Sequence, residues 1–345
     1  MESQESQAQV TIVVVPRERF SAARESLESV FQHADIPFEL VYVDAGSPTP
    51  VQRYLEAQAR IRHFRLVRID HYLTPNRARN VGLGLVKTPY VVFMDNDVVV
   101  APRWLEPLVA CMRATGAAIV SPLICGGLPL HEVVHCAGGE SGIRVDRVGD
   151  RLERHIIEKI HLQGARVDDV RGELDRRKTG LAEFHCMMVR TETLERIGRL
   201  DEHLLNTKEH VDLCLTVTEA GGSIYFEPAS VVTYVPVPLT WRDVPFYMLR
   251  WSDAWEAASL RRLGDKWRLT EDQYFKNRSE RLGWRRRNYM VKPISRRLAF
   301  GRRFSWLENA LVRLEKVLNR RLAERYARGS RARRDDAIAS TGHHR

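Results

Sequence analysis

The segment Val91-Val92-Phe93-Met94-Asp95-Asn96-Asp97-Val98-Val99-Val100 couples an apolar, β-branched run to two carboxylates. Its apolar half reads as a buried strand. A buried strand that ends on two acids needs partners for them, because an unpaired buried charge is costly. A cation, a metal ion or solvent at a cleft edge can fill that role. Two carboxylates one residue apart can share a hard divalent ion such as Mg2+ or Mn2+, which in turn holds phosphate oxygens. Two readings follow: a metal–diphosphate site at the end of a strand, or an acidic loop after a core strand.

Working outward, 10–15 is a continuous β-branched run that reads as a central parallel strand. Residues 21–33 carry Leu27, Val30 and Phe31 at helical spacing. Strands are expected over 38–43 and 64–69, with a helix over 51–59 between them. Thr74-Pro75 opens a further helix that carries Arg77, Arg79 and Asn80 and leads into the acidic strand. This alternation of strand and helix predicts an α/β fold with a doubly wound, mostly parallel, Rossmann-like sheet. Ligands in such sheets lie beyond the strand C-termini. Asp44, at the end of the second strand, and the Asp95/Asp97 pair fall at that edge.

Residues 144–179 are charged and lack apolar periodicity, so a flexible loop or surface insertion is expected there. Strands follow over 183–189, 223–226 and 231–235, with helices over 193–197 and 208–220. Beyond Pro236-Val237-Pro238 the chain turns helical and aromatic over 241–263, and Tyr247, Trp251 and Trp255 recur every four residues, which suits core packing. An amphipathic helix is expected over 305–328 and disorder from about Gly329. The resulting division is a catalytic domain at 1–235, an aromatic helical segment at 236–275 and a basic helical extension at 276–345.

The net charge of +10 is concentrated at one end: residues 281–334 hold 18 Lys or Arg against 3 Glu. Trp284, Tyr289, Phe300, Phe304 and Trp306 interleave with those arginines, a composition that suits an anionic membrane surface. A solvated appendage or an oligomer contact also suits it. The basic residues form no recognisable nucleic-acid module, so no nucleic-acid partner is expected. No signal peptide is expected from MESQESQAQV, and no apolar run is long enough to span a membrane. Five scattered cysteines fit reduced thiols in a cytoplasmic protein, peripheral on the inner membrane face if the tail docks there. Cys125, His131, His135 and Cys136 do not match paired-cysteine zinc spacings and read as coincidence.

Five segments, taken in order, resemble family 2 glycosyltransferases with the A-type nucleotide-sugar fold, over roughly residues 10–235. ELVYVDAGSP is similar to that family's EIVVVDDGS segment, NRARNVGLG to its ArNxG segment and FMDNDVVV to its DxD segment. LERIGRLDEHL resembles the segment ending in GGFDE, and KEHVDLCLTVTEAG resembles EDVDLCLRLRxAG. The resemblance implies a transferase that moves a sugar from a nucleotide-diphosphate donor to an acceptor hydroxyl with inversion, assisted by Mg2+ or Mn2+. It implies that Asp44 contacts the nucleotide base, that Arg79 approaches the nucleotide, and that Asp95 and Asp97 form the metal pair, with Asp97 the direct ligand. Glu209 and His210 stand where the family carries its Glu-Asp pair, so either is the candidate base. Two departures stand out: His210 replaces the usual Asp, and Tyr234 stands where many members carry a metal-binding His after the final strand. If the basic tail meets a membrane, a lipid-linked glycan becomes a candidate acceptor. A nucleotidyltransferase is the alternative enzyme, although Pro16-Arg17-Glu18-Arg19-Phe20 lacks the glycines its phosphate loop would need. A non-catalytic nucleic-acid- or membrane-binding protein is the other alternative.

Overall fold

β-Branched runs form the sheet, and the intervening helices cover both of its faces. The computed structural model describes residues 8–236 and 238–342. Its first half alternates β1 (Val10–Val15), α1 (Ala23–His33), β2 (Glu39–Ala45), α2 (Thr49–Arg62), β3 (Arg65–Ile69), α3 (Pro75–Leu83), β4 (Tyr90–Asp95), β5 (Val98–Val100), α4 (Leu105–Thr115) and β6 (Ile119–Gly126). Next come β7 (Val134–Cys136), β8 (Gly139–Val148), β9 (Arg151–Ile160), β10 (Arg177–Thr179), β11 (Cys186–Arg190), α5 (Thr191–Ile197), α6 (Glu209–Glu219) and β12 (Ile224–Tyr234). The remainder is helical: α7 (Val244–Arg250), α8 (Asp253–Trp267), α9 (Gln273–Glu280), α10 (Trp284–Arg286), α11 (Lys292–Leu298) and α12 (Ser305–Gly342).

The main sheet runs β10-β12-β6-β11-β4-β1-β2-β3. Strands β1 to β4 pair in parallel, as do β6 and β12, while β11 lies antiparallel between β4 and β6. The period-2 alternation of β1 splits it between two cores. Ile12 and Val14 pack with α1, α2 and α4, and Val13 and Val15 pack with α3, α5 and α6. This is the doubly wound, mostly parallel sheet expected from the sequence, with one antiparallel strand at its centre.

That antiparallel strand matters for the acidic pair. After Asp95 the chain leaves the main sheet path, and β5 pairs with β12 instead. Asn96 staples this turn to the loop after β1: its Oδ1 accepts from the Arg17 N–H at 3.0 Å, and its Nδ2 donates to the Arg19 carbonyl at 3.0 Å. On the opposite face, α3 starts at Pro75 and closes tightly onto β1 and β2. A Cβ on Gly82 would lie 2.3 Å from Val13 Cγ1, so only glycine permits this approach.

Several sequence expectations need correction. Of the stretch over 144–179, the part to Ile160 is no loose loop but a surface hairpin, β8 with β9, paired from Gly139↔Ile160 to Val148↔Arg151, while 161–176 holds no strand. Its charged residues mask the strand signal because much of the ribbon faces solvent and ion pairs rather than a core. The strands expected at 223–226 and 231–235 are one strand, β12, with an irregularity between Glu227 and Val231. The helix over 241–263 breaks between α7 and α8, where the Ser252 side chain caps α8 by accepting from the Trp255 N–H. Tyr247, Trp251 and Trp255 are all buried, in line with core packing. The end expected to be disordered beyond Gly329 continues as helix α12 to Gly342, since a run rich in Ala and Arg offers no strong stop. Among the described residues, no helix is long and apolar enough to cross a membrane.

An exposed helical glycine replaced by alanine ordinarily gains about 1 kcal/mol. Gly82→Ala is expected instead to lose about 1–3 kcal/mol through overpacking against Val13. A lower urea midpoint checks this, and a raised midpoint would mean that α3 does not seat as described.

Candidate active site

A cavity of about 460 Å³ opens where β1 and β4 end and β11 begins, between the β8–β9 hairpin, the start of α6 and the C-terminal helices. Asp95, the last residue of β4, stands in its wall and is held from three sides. Arg79 Nη2 donates to Oδ1 at 3.1 Å, Arg17 Nε lies 3.1 Å from Oδ2, and His185 Nδ1 lies 3.4 Å from Oδ2. Arg79 is set by α3 and is further anchored by Asn76 at 3.2 Å and by the face of Phe184.

Asp97 is less well served. Arg17 is 3.8 Å away, and both carboxylate oxygens are buried with no hydrogen-bond partner among the described residues. Burial pushes its carboxyl up to about 8; Arg17 opposes this, while Asp95 and Glu18 add to it. Arg17 thus serves three carboxylates, since its Nη1 also lies 3.1 Å from Glu18, and its guanidinium sits 4.4 Å from the centre of the Tyr234 ring. Asp95 also has Arg79 and Glu18 also has Arg19, at 2.8 Å, so among these three buried acids the shortfall of donors falls on Asp97. Asp95, Asp97 and His185 offer ligand atoms within 4.8 Å of one another. The orphaned oxygens and this donor set fit a divalent cation. A second group with the same spacing is His135, Glu183 and His185.

Glu209 and His210 open α6 behind Lys208, which adopts a left-handed φ of 69°. Such a conformation costs a non-glycine residue roughly 1–3 kcal/mol and is kept only where surrounding contacts enforce it. Here Lys208 Nζ donates to both oxygens of Glu158 at 2.6 and 2.5 Å. Glu209 is buried 3.5 Å from Arg250. Burial raises its pKa, but Arg250 and Arg79 outweigh that and hold it below the usual carboxylate range. His210 Nε2 lies 3.7 Å from Glu158 and 4.0 Å from Glu183, has no hydrogen-bond partner among the described residues, and its residue lines the cavity.

Asp44 is not on the cavity wall. Its oxygens accept from Ser47 N at 3.2 Å, Ser47 Oγ at 2.8 Å and Arg68 Nη1 at 2.6 Å, so it braces its own turn. Cys125 and Cys136 are buried free thiols, and His131 bonds Thr233, so these residues gather no zinc set. The cavity also contains Arg17, Glu158, Glu183, His185, Arg250 and Arg285, none of which the sequence reading singled out. The available signal for His185 was a histidine in the otherwise apolar run Phe184-His185-Cys186-Met187-Met188.

Glu158 is the hub of the outer rim, bonded also by Tyr274 Oη and Arg278 Nη2 at 2.9 Å each. Burial raises its pKa, but His210 and Lys208 outweigh that and hold it well below the carboxylate range. A depressed carboxylate stabilises the fold above its unfolded pKa of about 4.3, and that contribution is lost as pH falls below this value. Glu158→Gln is therefore expected to cost about 3–5 kcal/mol at pH 7 by stranding Lys208, and less at pH 3. Denaturation at both pH values reads the difference, and equal losses would count against the ion pair.

Residues 11–129 match the family described as Glycosyl transferase family 2. The chain is 26% identical over 232 residues to the pre-mycofactocin glycosyltransferase of Mycobacterium tuberculosis, in both strain CDC 1551 / Oshkosh and strain H37Rv. That alignment covers 66% of this chain and 43% of each relative, so the chain matches less than half the length of these curated relatives. Among solved structures, the fold is similar to GalNAc-T7 crystallised with UDP, GalNAc and Mn2+, at a TM-score of 0.50 and 15% identity, covering 82% of this chain and 58% of that one. The order of strands and helices and the doubly wound sheet agree with these matches, and over residues 11–129 the chain is similar to glycosyl transferase family 2.

Proposed function

We propose that this protein transfers a sugar from a nucleotide-diphosphate donor to an acceptor hydroxyl, with inversion and with help from Mg2+ or Mn2+. The observation that carries the reading is the acidic turn at the end of β4, which meets Arg17, Arg79 and His185 at a cavity whose other wall holds His210. Asp95 and Asp97 would hold the cation, and a bound cation would neutralise the diphosphate as it leaves. Arg79, Arg250 and Arg285 add positive charge to the same wall, where a diphosphate needs it.

His210 is the better base of the adjacent pair. Glu209 is occupied by Arg250 and held ionised, which makes it a weak proton acceptor. His210 Nε2 has no hydrogen-bond partner among the described residues and lies within about 4 Å of Glu158 and Glu183 at the cavity, where an acceptor hydroxyl can reach it. In the proposed step the acceptor O–H proton passes to His210, the acceptor oxygen bonds the anomeric carbon, and the bond from that carbon to the diphosphate oxygen breaks. Attack opposite the leaving group inverts the centre.

Calorimetry across a panel of nucleotide-diphosphate sugars tests this reading. One donor class should bind, at least tenfold more weakly in Arg79→Gln. His210→Asn should lower kcat by about 10²–10⁴-fold, the usual worth of a general base, with donor affinity unchanged. Binding of no donor under any condition would refute the reading.

The second reading concerns where the acceptor comes from. At the α11–α12 corner, Phe300 is 97% exposed, Trp306 69% and Leu298 60%, beside Arg296, Arg297, Arg302 and Arg303. Exposed aromatics among arginines suit the headgroup layer of an anionic membrane. The free, buried cysteines suit its cytoplasmic face, and the acceptor is then a lipid-linked glycan. Cosedimentation with vesicles containing phosphatidylserine is expected for the native chain and is expected to drop at least fivefold in a Phe300→Glu, Trp306→Glu variant; equal recovery of both would sink the docking face.

A further inference from the structure

We infer that His185 is the nitrogen ligand of the donor-site cation, completing a set with Asp95 and Asp97, and that Arg17 holds the place of that cation until it enters. The inference deepens the donor-site reading and rests on it. It answers the departure at Tyr234. The phenol is not free to replace a metal-binding imidazole, because its Oη contacts Glu18 at 3.4 Å and Arg17 covers its ring. The imidazole instead arrives from another strand. His185 stacks on Tyr234 with ring centres 4.5 Å apart.

Backbone register places it there. Cys186 pairs with Met94, and the Asp95 N–H donates to the His185 carbonyl at 3.1 Å, so His185 stands beside Asp95 across the β4–β11 ladder. Facing residues of an antiparallel pair share one side of the sheet. His185 is 5% exposed, and its Nδ1 has no hydrogen-bond partner among the described residues. Both Asp97 oxygens are likewise orphaned. His185 and Asp97 converge with Asp95 within 4.8 Å, and the unbonded Nδ1 and carboxylate oxygens among them are arranged as ligands. When a cation binds, Arg17 keeps Glu18 as its partner at 3.1 Å. A set of two carboxylates and one imidazole favours Mn2+ over Mg2+, because nitrogen ligands suit the transition metal better.

The test measures Mn2+ binding directly, by the electron paramagnetic resonance of free Mn2+, on the metal-stripped full chain with and without UDP or GDP. His185→Ala is expected to weaken binding at least tenfold, and Arg17→Gln to tighten it in the absence of nucleotide. Tyr234→His in the His185→Ala background should restore binding, by returning an imidazole one ring away; thermal unfolding verifies that each variant is folded. Unchanged Mn2+ affinity in His185→Ala overturns the inference. So does binding that survives Asp97→Asn but is lost in His135→Ala, which would assign the ion to His135, Glu183 and His185. If the native chain binds nucleotide but no Mn2+, the ligand assignment falls while the donor-site reading stands. If it binds neither, the donor-site reading falls as well.

Discussion

The Arg17 guanidinium lies among Glu18, Asp95 and Asp97, all four side chains largely withdrawn from water. Buried carboxylates in this number are tolerated only when countercharge is near: Arg19 pairs with Glu18 at 2.8 Å and Arg79 with Asp95 at 3.1 Å, while Asp97 is left with Arg17 at 3.8 Å. Asp97 bears the deficit, with both oxygens orphaned and its carboxyl driven up. The surrounding structure is arranged around that imbalance. Asn96 pins the acidic turn to the loop that carries Arg17, α3 delivers Arg79 to the other side of Asp95, and β11 sets an imidazole against it. A buried carboxylate with no hydrogen-bond donor among the described residues is suited to receiving a cation together with a ligand.

The helical region after β12 takes part in this arrangement. Asp243 accepts from the Phe20 and Ser21 N–H groups at 2.9 and 3.2 Å, which ties α7 to the loop after β1. Arg250 bonds the Arg17 carbonyl and faces Glu209, and Arg285 lies 3.7 Å from Glu18. Arg286, with no exposed surface, bonds Glu315, Asp253 and the Trp251 carbonyl, and so anchors α12. Charge in the cavity and docking of the C-terminal helices are therefore coupled: the same segment that closes the cavity also carries the exposed aromatic corner.

The fold was readable because its signals are local. The β-branched runs at 10–15 and 91–95 and the helix spacings between them depend on residues a few positions apart. The charged hairpin over 139–160 escaped notice because a ribbon stabilised by cross-strand pairing and ion pairs carries little apolar periodicity. The break at Ser252 was hidden because the aromatic spacing runs through it, and only the cap shows that the helix restarts. At the site, Asp95, Asp97, Glu209 and His210 were legible as short motifs. The resemblance and its strand-end position place Asp44 at the nucleotide edge, and the turn that binds its carboxylate is visible only in three dimensions.

By itself the sequence determined the alternation of strand and helix, the acidic turn at a strand end and the basic, aromatic character of the tail, since each is written in residues close along the chain. Tertiary structure alone decided which distant groups meet that turn. Arg17 and Tyr234 lie more than two hundred positions apart and stack because β1 and β12 end at the same sheet edge. His185 reaches Asp95 because β11 inserts antiparallel beside β4 in one register, and a slip of one residue would turn its ring to the other face. Strand pairing is a long-range choice settled by the packing of the whole sheet, and no local pattern in the chain encodes it.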